Sequence, residues 1–161
     1  MEVVTRPGRD RRRPLARVLF TVLAFVALVA ACGGIGSTPA PSLGPIELNG
    51  TSWRLIGYLS PTGTHFTVPA AVTPGATFKD GQWTGDTGCN QANGAYTQDG
   101  TSIAIGPITS TKKACQDPMA TVETAYLAAI ATVDTAVGND STLVLKKSDG
   151  FTTLEFVRAN N

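Results

Sequence analysis

The stretch Ala76-Thr77-Phe78-Lys79-Asp80-Gly81-Gln82-Trp83-Thr84-Gly85 decides how the rest of the chain is read. Two short β-prone runs flank Asp80-Gly81, and a two-residue turn of type I′ needs φ > 0 at both central positions, which Asp-Gly supplies. The stretch is therefore a β-hairpin, and short antiparallel strands are expected on either side of it. Toward the N-terminus, Thr51 to Tyr58 reads as a strand with Trp53, Leu55 and Gly57 on one side and Arg54, Ile56 and Tyr58 on the other. Ser60 to Gly75 is rich in Pro, Gly and Thr, with Phe66 and Val68 marking a short edge strand. Toward the C-terminus, Asp86 to Gln91 forms a tight polar loop, Ala95 to Gln98 a short strand, and Asp99-Gly100 a second turn. Thr101 to Ile105 is a strand that Pro107 ends, and Ile108 to Lys113 is another that delivers Cys115. Thr132 to Val137 reads as a strand, and Leu143 to Lys146 with Thr152 to Val157 form a last hairpin across Ser148-Asp149-Gly150.

One helix interrupts this pattern. Asp117-Pro118 is a start signal, with Asp as N-cap and Pro in the first turn, where it loses no intrahelical bond. Met119, Val122, Tyr126, Leu127 and Ile130 then fall on one face. The face carries no Lys/Arg-rich counterpart, so the helix is expected to pack on the protein rather than lie on a membrane. Leu127 is expected inside that face, with a cost of about 2–5 kcal/mol on truncation to alanine. The fold class is α+β, an antiparallel β-sheet or partly open β-barrel packed against one α-helix.

The N-terminus belongs to a different regime. Arg6, Arg9, Arg11, Arg12, Arg13 and Arg17 precede an uncharged run from Val18 to Ala31, apolar except for Thr21. This run falls short of the roughly 20 residues that span hydrocarbon, and the arrangement matches a secretory signal. Val29-Ala30-Ala31-Cys32 resembles the lipobox of a bacterial lipoprotein. The resemblance implies that residues 1–31 are removed and that Cys32 carries the lipid, palmitate included, that anchors the chain to the cell membrane. Arg12-Arg13 leaves twin-arginine export open beside the ordinary route. Residues 32–45 would be the lipidated cysteine and a Gly/Ser/Pro-rich spacer, with a folded domain over 46–161.

Without the signal, seven Lys/Arg stand against ten Asp/Glu, a net charge of −3. No basic face remains to neutralise phosphates, so nucleic acid is excluded as a partner. Cys89 and Cys115 are the thiols left once Cys32 is assigned to lipid, and an even remainder in an exported chain reads as one disulfide. Two free buried thiols are the alternative. A metal centre is not expected, since His65 is the single histidine and no CxxC occurs.

The motifs resemble those of the META domain family, the HslJ-like envelope proteins. Leu48-Asn49-Gly50-Thr51-Ser52-Trp53-Arg54-Leu55 fits the leading L-x-G-T-x-W-x-L. Gly85-Asp86-Thr87-Gly88-Cys89-Asn90-Gln91-Ala92-Asn93-Gly94-Ala95-Tyr96 fits G-x-x-G-C-N-x-x-x-G-x-Y. Thr111 to Cys115 supplies T-x-x-A-C, Glu123 and Tyr126 sit on the helix, and Leu143, Leu145, Leu154 and Phe156 match the terminal hairpin. The resemblance implies an antiparallel sheet or partial barrel with one helix, and Trp53, Gly88, Asn90 and Tyr96 as structural motif residues. It implies no enzyme activity and no cofactor.

Chemistry-bearing residues give a bland reading. A catalytic cysteine would need His65 as its base, and the disulfide removes both thiols. Asp80, Asp86 and Asp99 sit at turns, where Asp serves its local backbone. Trp53, Trp83 and Tyr96 suit either a stacking groove or the core, and the core is the simpler account. The chain is thus expected to be a non-enzymatic lipoprotein that binds or supports a cell-envelope component in the stress response. The alternative is a small-ligand or lipid-binding module using a pocket at the mouth of the partial barrel.

Overall fold

The computed structural model describes residues 42–60, 62–151 and 153–159. Residues 1–31, expected as a signal, Cys32 and most of the expected spacer lie outside the described residues. Ten strands and one helix follow in the order β1 (Thr51–Leu59), β2 (His65–Thr67), β3 (Gly75–Lys79), β4 (Gln82–Asp86), β5 (Gln91–Asp99), β6 (Ser102–Ile105), β7 (Thr109–Ser110), α1 (Met119–Ile130), β8 (Thr135–Gly138), β9 (Thr142–Lys146) and β10 (Thr153–Arg158). Every pairing is antiparallel. Eight strands run in the ring β1-β3-β4-β5-β6-β8-β9-β10, and β10 pairs back onto β1. The sheet is therefore a barrel with β2 and β7 as outside additions. Its thinnest junction is β6 to β8, where Ser102 opposite Thr135 is the one ladder pair. Two flanking bonds, Ile103 N–H to the Asp134 carbonyl at 3.0 Å and Ala136 N–H to the Thr101 carbonyl at 2.8 Å, hold that seam.

Alternation sends every second residue inward. Trp53 and Leu55, Ala76 and Phe78, Trp83, Ala92 and Tyr96, Ile103, Ala136, Leu143 and Leu145, and Leu154 and Phe156 are all buried. The interior is thus packed with side chains. Gly85 faces inward two residues after Trp83, and a methyl group there would stand 2.5 Å from the Trp83 ring. The indole lies over the glycine, which is why that position carries no side chain. The Asp80-Gly81 hairpin forms as expected, with φ of 51° and 75°.

Several local expectations change. Ile56 is an extra residue between the Leu55–Phe156 and Gly57–Glu155 pairs, so β1 carries a bulge. The bulge reverses the alternation, as one inserted residue must. Tyr58, expected outside, is only 6% exposed, and Gly57 turns toward His65 and Glu155. β5 runs nine residues rather than the four expected from Ala95 to Gln98. The Ile108–Lys113 strand shrinks to β7, Thr109–Ser110. Pairing starts two residues before Ile46, because Gly44 and Gly138 exchange N–H···O bonds of 3.0 and 2.8 Å. Gln98 secures the same lead-in. Its amide accepts from Leu48 N–H at 3.1 Å and donates to the Ile46 carbonyl.

The helix starts one residue later than its signal suggests, with Pro118 at the cap position. Asp117 still serves it, since its carboxylate accepts the Thr121 N–H at 3.2 Å and the Thr121 hydroxyl. The buried face is Val122, Tyr126, Ala129 and Ile130. Leu127 and Met119, expected in that face, are half-buried at its edge, because the face is rotated toward Ala129.

Candidate functional site at the helix-capped end of the barrel

The helix is fastened to the barrel from within. Tyr126 is fully buried, its ring 6.2 Å from both Trp83 and Phe156 in edge-on contact. Its hydroxyl donates to the Gly75 carbonyl at 2.9 Å. Burial first, with the negative charge of Asp86 adding to it, pushes the phenol far above its ordinary pKa, so it stays a donor at every physiological pH. The indole N–H of Trp83 is, among the described residues, the buried side-chain polar atom left without a hydrogen-bond partner.

The N-terminal part of the helix is tied to the turn between β4 and β5. Gly88 bends that turn at φ +85°, in the left-handed region, and a Cβ there would collide with Val72. The turn closes on itself through Thr87 N–H to the Asn90 carbonyl and Asn90 N–H to Thr87 Oγ1, both 2.8 Å. Asn90, 5% exposed, is the node. Its Oδ1 accepts from the Thr111 hydroxyl at 2.7 Å and from Lys113 N–H at 2.8 Å. Its Nδ2 donates to the Lys113 carbonyl at 3.1 Å and to Glu123 Oε2 at 3.0 Å. One side chain thus joins the turn, the segment leading to Cys115 and the helix, with all four of its amide bonding positions used. Cys89 and Cys115 are joined beside it as a disulfide, with Cα atoms 6.2 Å apart, inside the range a disulfide spans.

Asn90→Asp tests the node. The substitution keeps the shape but replaces two donors by a carboxylate facing Glu123 and a carbonyl. A loss of about 1–3 kcal/mol is expected in urea unfolding, the cost of orphaned buried polar groups. Asn93→Asp, on the exposed side of β5, should shift stability by less than about 0.5 kcal/mol.

A groove of about 260 Å³ lies along the C-terminal half of the helix. Its floor is Ala125, Ala128 and Ala129, its wall Tyr58 and Leu59 of β1, and its rim the Lys147–Asp149 ion pair at 3.1 Å. Alanines at three helix positions leave the space that longer side chains would fill. Phe66 stacks on Tyr58 at 5.3 Å and remains 43% exposed, which extends the apolar surface outward from β1. The bulge at Ile56 is what turns Tyr58 into this wall.

Asp134 braces the loop at the rim. Its carboxylate accepts from Ser148 N–H at 3.0 Å, Ser148 Oγ–H at 2.7 Å and Thr135 Oγ–H at 2.8 Å. These bonds, those from Ser148 first, hold its pKa below the ordinary carboxylate value. The folded-state pKa lies below the unfolded one. The bracing is therefore fully present above the unfolded value and is lost as pH falls through the folded one. Melting wild type and Asp134→Asn across a pH series should show a gap at neutral pH that closes in acid. A gap independent of pH would show that the carboxylate charge plays no part.

The residues singled out from sequence divide cleanly. Trp53, Trp83 and Tyr96 are core rather than groove, at 2%, 0% and 7% exposure. Trp53 also donates its indole N–H to Thr51 Oγ1 at 2.7 Å, and the Arg158 guanidinium sits 4.6 Å over its ring. Asp86 accepts from Gly88 N–H at 2.7 Å, a turn role, and Asp80 occupies the hairpin turn. His65 lies on β2 beside Glu155 at 3.2 Å. Gly88, Cys89, Asn90 and Cys115 come together. The sequence reading missed the Asn90–Glu123 link, the Gln98 clamp, the Asp134 brace and the alanine-floored groove. Glu123, about 100° around the helix from Val122 of the buried face, was the signal for the first.

A closed antiparallel barrel plugged at one end by a single helix is the class of protein that these features define. The META domain matches residues 46–161, and the chain belongs to that family. It is similar to a Burkholderia xenovorans protein solved by NMR, with 26% identity and a TM-score of 0.62 over 78% of this chain and 97% of that one. A crystallised DUF4847 family protein from Bacteroides vulgatus shares the fold at 15% identity and a TM-score of 0.52, covering 71% of this chain and 96% of that one. No curated protein matches the chain.

Proposed function

We propose that the chain is a non-catalytic binding module of the cell envelope, held to the membrane through lipid on Cys32, that receives an apolar group of an envelope component in the groove beside the helix. The observation that carries this reading is the groove itself. It is apolar, floored by alanines and rimmed by one ion pair. Its 260 Å³ falls just below the roughly 300–1,000 Å³ of whole small-molecule sites, which suits a side chain or a short acyl segment. The packed barrel interior supports the same choice, because Trp53, Phe78, Trp83 and Phe156 fill the lumen that a larger ligand would need. The lipobox-like Val29-Ala30-Ala31-Cys32 and the spacer after it support the anchored, exported setting.

Two measurements test the two halves. Cys32→Ala should move the protein out of the membrane fraction and abolish labelling by fatty acid. Unchanged partition and labelling would overturn the anchor. Ala128→Trp should fill the groove from an exposed helix position without touching the core. The full chain in detergent should then lose the fluorescence enhancement of an anilinonaphthalene sulfonate probe and its capture of envelope components. Equal probe binding and capture by both proteins would overturn the groove as the site.

A further inference from the structure

Beside the disulfide stands a third potential metal ligand. The Sγ atoms of Cys89 and Cys115 and a carboxylate oxygen of Glu123 lie within 4.8 Å of one another, and all three residues are partly buried. We propose that the reduced form of the protein holds a divalent transition metal of the zinc type on Cys89, Cys115 and Glu123. Tetrahedral bonds of about 2.3 Å to sulfur and about 2.0–2.2 Å to oxygen place such ligand atoms about 3.5–3.8 Å apart. Movements of about an ångström therefore complete the site. The surroundings already orient its parts. Asn90 Nδ2 lies 3.0 Å from Glu123 Oε2, and 3.5 and 3.7 Å from the two sulfurs. Its N–H groups fix the carboxylate and face thiolate charge, as the hydrogen-bonded partners of metal ligands do. An open cleft lined by Asn90, Lys113, Ala114 and Glu123 adjoins the Glu123 side of the site.

The chemistry balances with a dithiol as reductant. The dithiol gives two electrons and two protons to the Cys89–Cys115 bond and closes to its own disulfide. The two protein thiols then release two protons on binding the metal. Binding is thus gated, since the oxidised pair offers no thiolate. The site differs from the groove, and its failure would leave the groove untouched.

The test uses the full chain with Cys32→Ala in detergent, so that Cys89 and Cys115 are the thiols present. After anaerobic reduction by dithiothreitol and its removal, Co²⁺ is titrated as a spectroscopic probe and then displaced by Zn²⁺. One equivalent should give a thiolate-to-cobalt charge-transfer band together with visible bands of tetrahedral intensity. The oxidised protein should give neither. Cys115→Ser should reduce the charge-transfer intensity. Glu123→Gln keeps an oxygen for Asn90 to bond and should retain the band while weakening affinity at least about tenfold, the scale of losses at metal sites. A reduced wild type without the band would overturn the proposal. So would Glu123→Gln binding as tightly as wild type, or a reduced chain that loses its aromatic near-ultraviolet dichroism and does not regain it with Zn²⁺.

Discussion

Tyr126→Ala is expected to lower the unfolding free energy by about 3–5 kcal/mol, in the range of large aromatic deletions from a packed interior. The ring touches Trp83 on β4 and Phe156 on β10 from the helix, and its hydroxyl reaches Gly75 on β3. No other helix residue bonds that many strands among the described contacts. The cavity would sit between the helix and the barrel end, where neither can relax toward the other without breaking a ladder. Tyr126→Phe should cost only about 1 kcal/mol, the worth of a single hydrogen bond. Leu127→Ala, at the half-buried edge, should cost about 1 kcal/mol as well. Urea unfolding of the three variants checks the order. Equal losses for Tyr126→Ala and Leu127→Ala would mean that the helix rests on the barrel rather than plugging it.

Replacing both Cys89 and Cys115 by serine should cost about 3.5 kcal/mol, from the loop closed by a disulfide 26 residues apart. The loss should appear at equilibrium in non-reducing conditions and should match that caused by reducing the wild type. Asn90 spans the same two segments through Lys113. A measured loss below about 1 kcal/mol would show that this amide already confines the loop. Mass spectrometry of alkylated, unreduced protein provides the control, since two free thiols would remove the premise.

What was legible in the chain was local. Asp80-Gly81 announces its hairpin because the turn conformation is decided by two residues. Cys89 and Cys115 announce each other once Cys32 is set aside as the expected lipid site, because an even pair then remains. The helix announces itself by period, yet the face was misjudged by one position, because small Ala129 scores weakly against Leu127 although it packs more closely. β5 was read too short for a related reason. Ala92, Asn93 and Gly94 have little strand propensity, and they are in the sheet because Ala92 and Gly94 face inward, opposite Gly85 and Trp83 of β4, where a crowded barrel takes small residues. The bulge at Ile56 left no mark that a single sequence reveals, so Tyr58 was placed on the wrong side. In the sequence Glu123 is only a motif residue on the helix, and the fold shows that it answers Asn90. The groove was invisible because it consists of what alanines leave empty.

The pairing of β1 with β10 has a consequence for how the protein is made. Trp53 lies opposite Arg158, so the first strand of the domain meets its neighbour only when the last has been synthesised. Until then a nine-residue strand bearing Trp53 and Leu55 has one bare edge, open to any other extended chain nearby. Chains emerge N-terminus first at about 5–20 residues per second, so the roughly ninety residues between Leu59 and Thr153 correspond to about 5–20 s of exposure. C-terminal truncations reaching into Thr153–Arg158 should therefore give aggregated rather than merely weakened protein, because they remove the strand that ends this waiting.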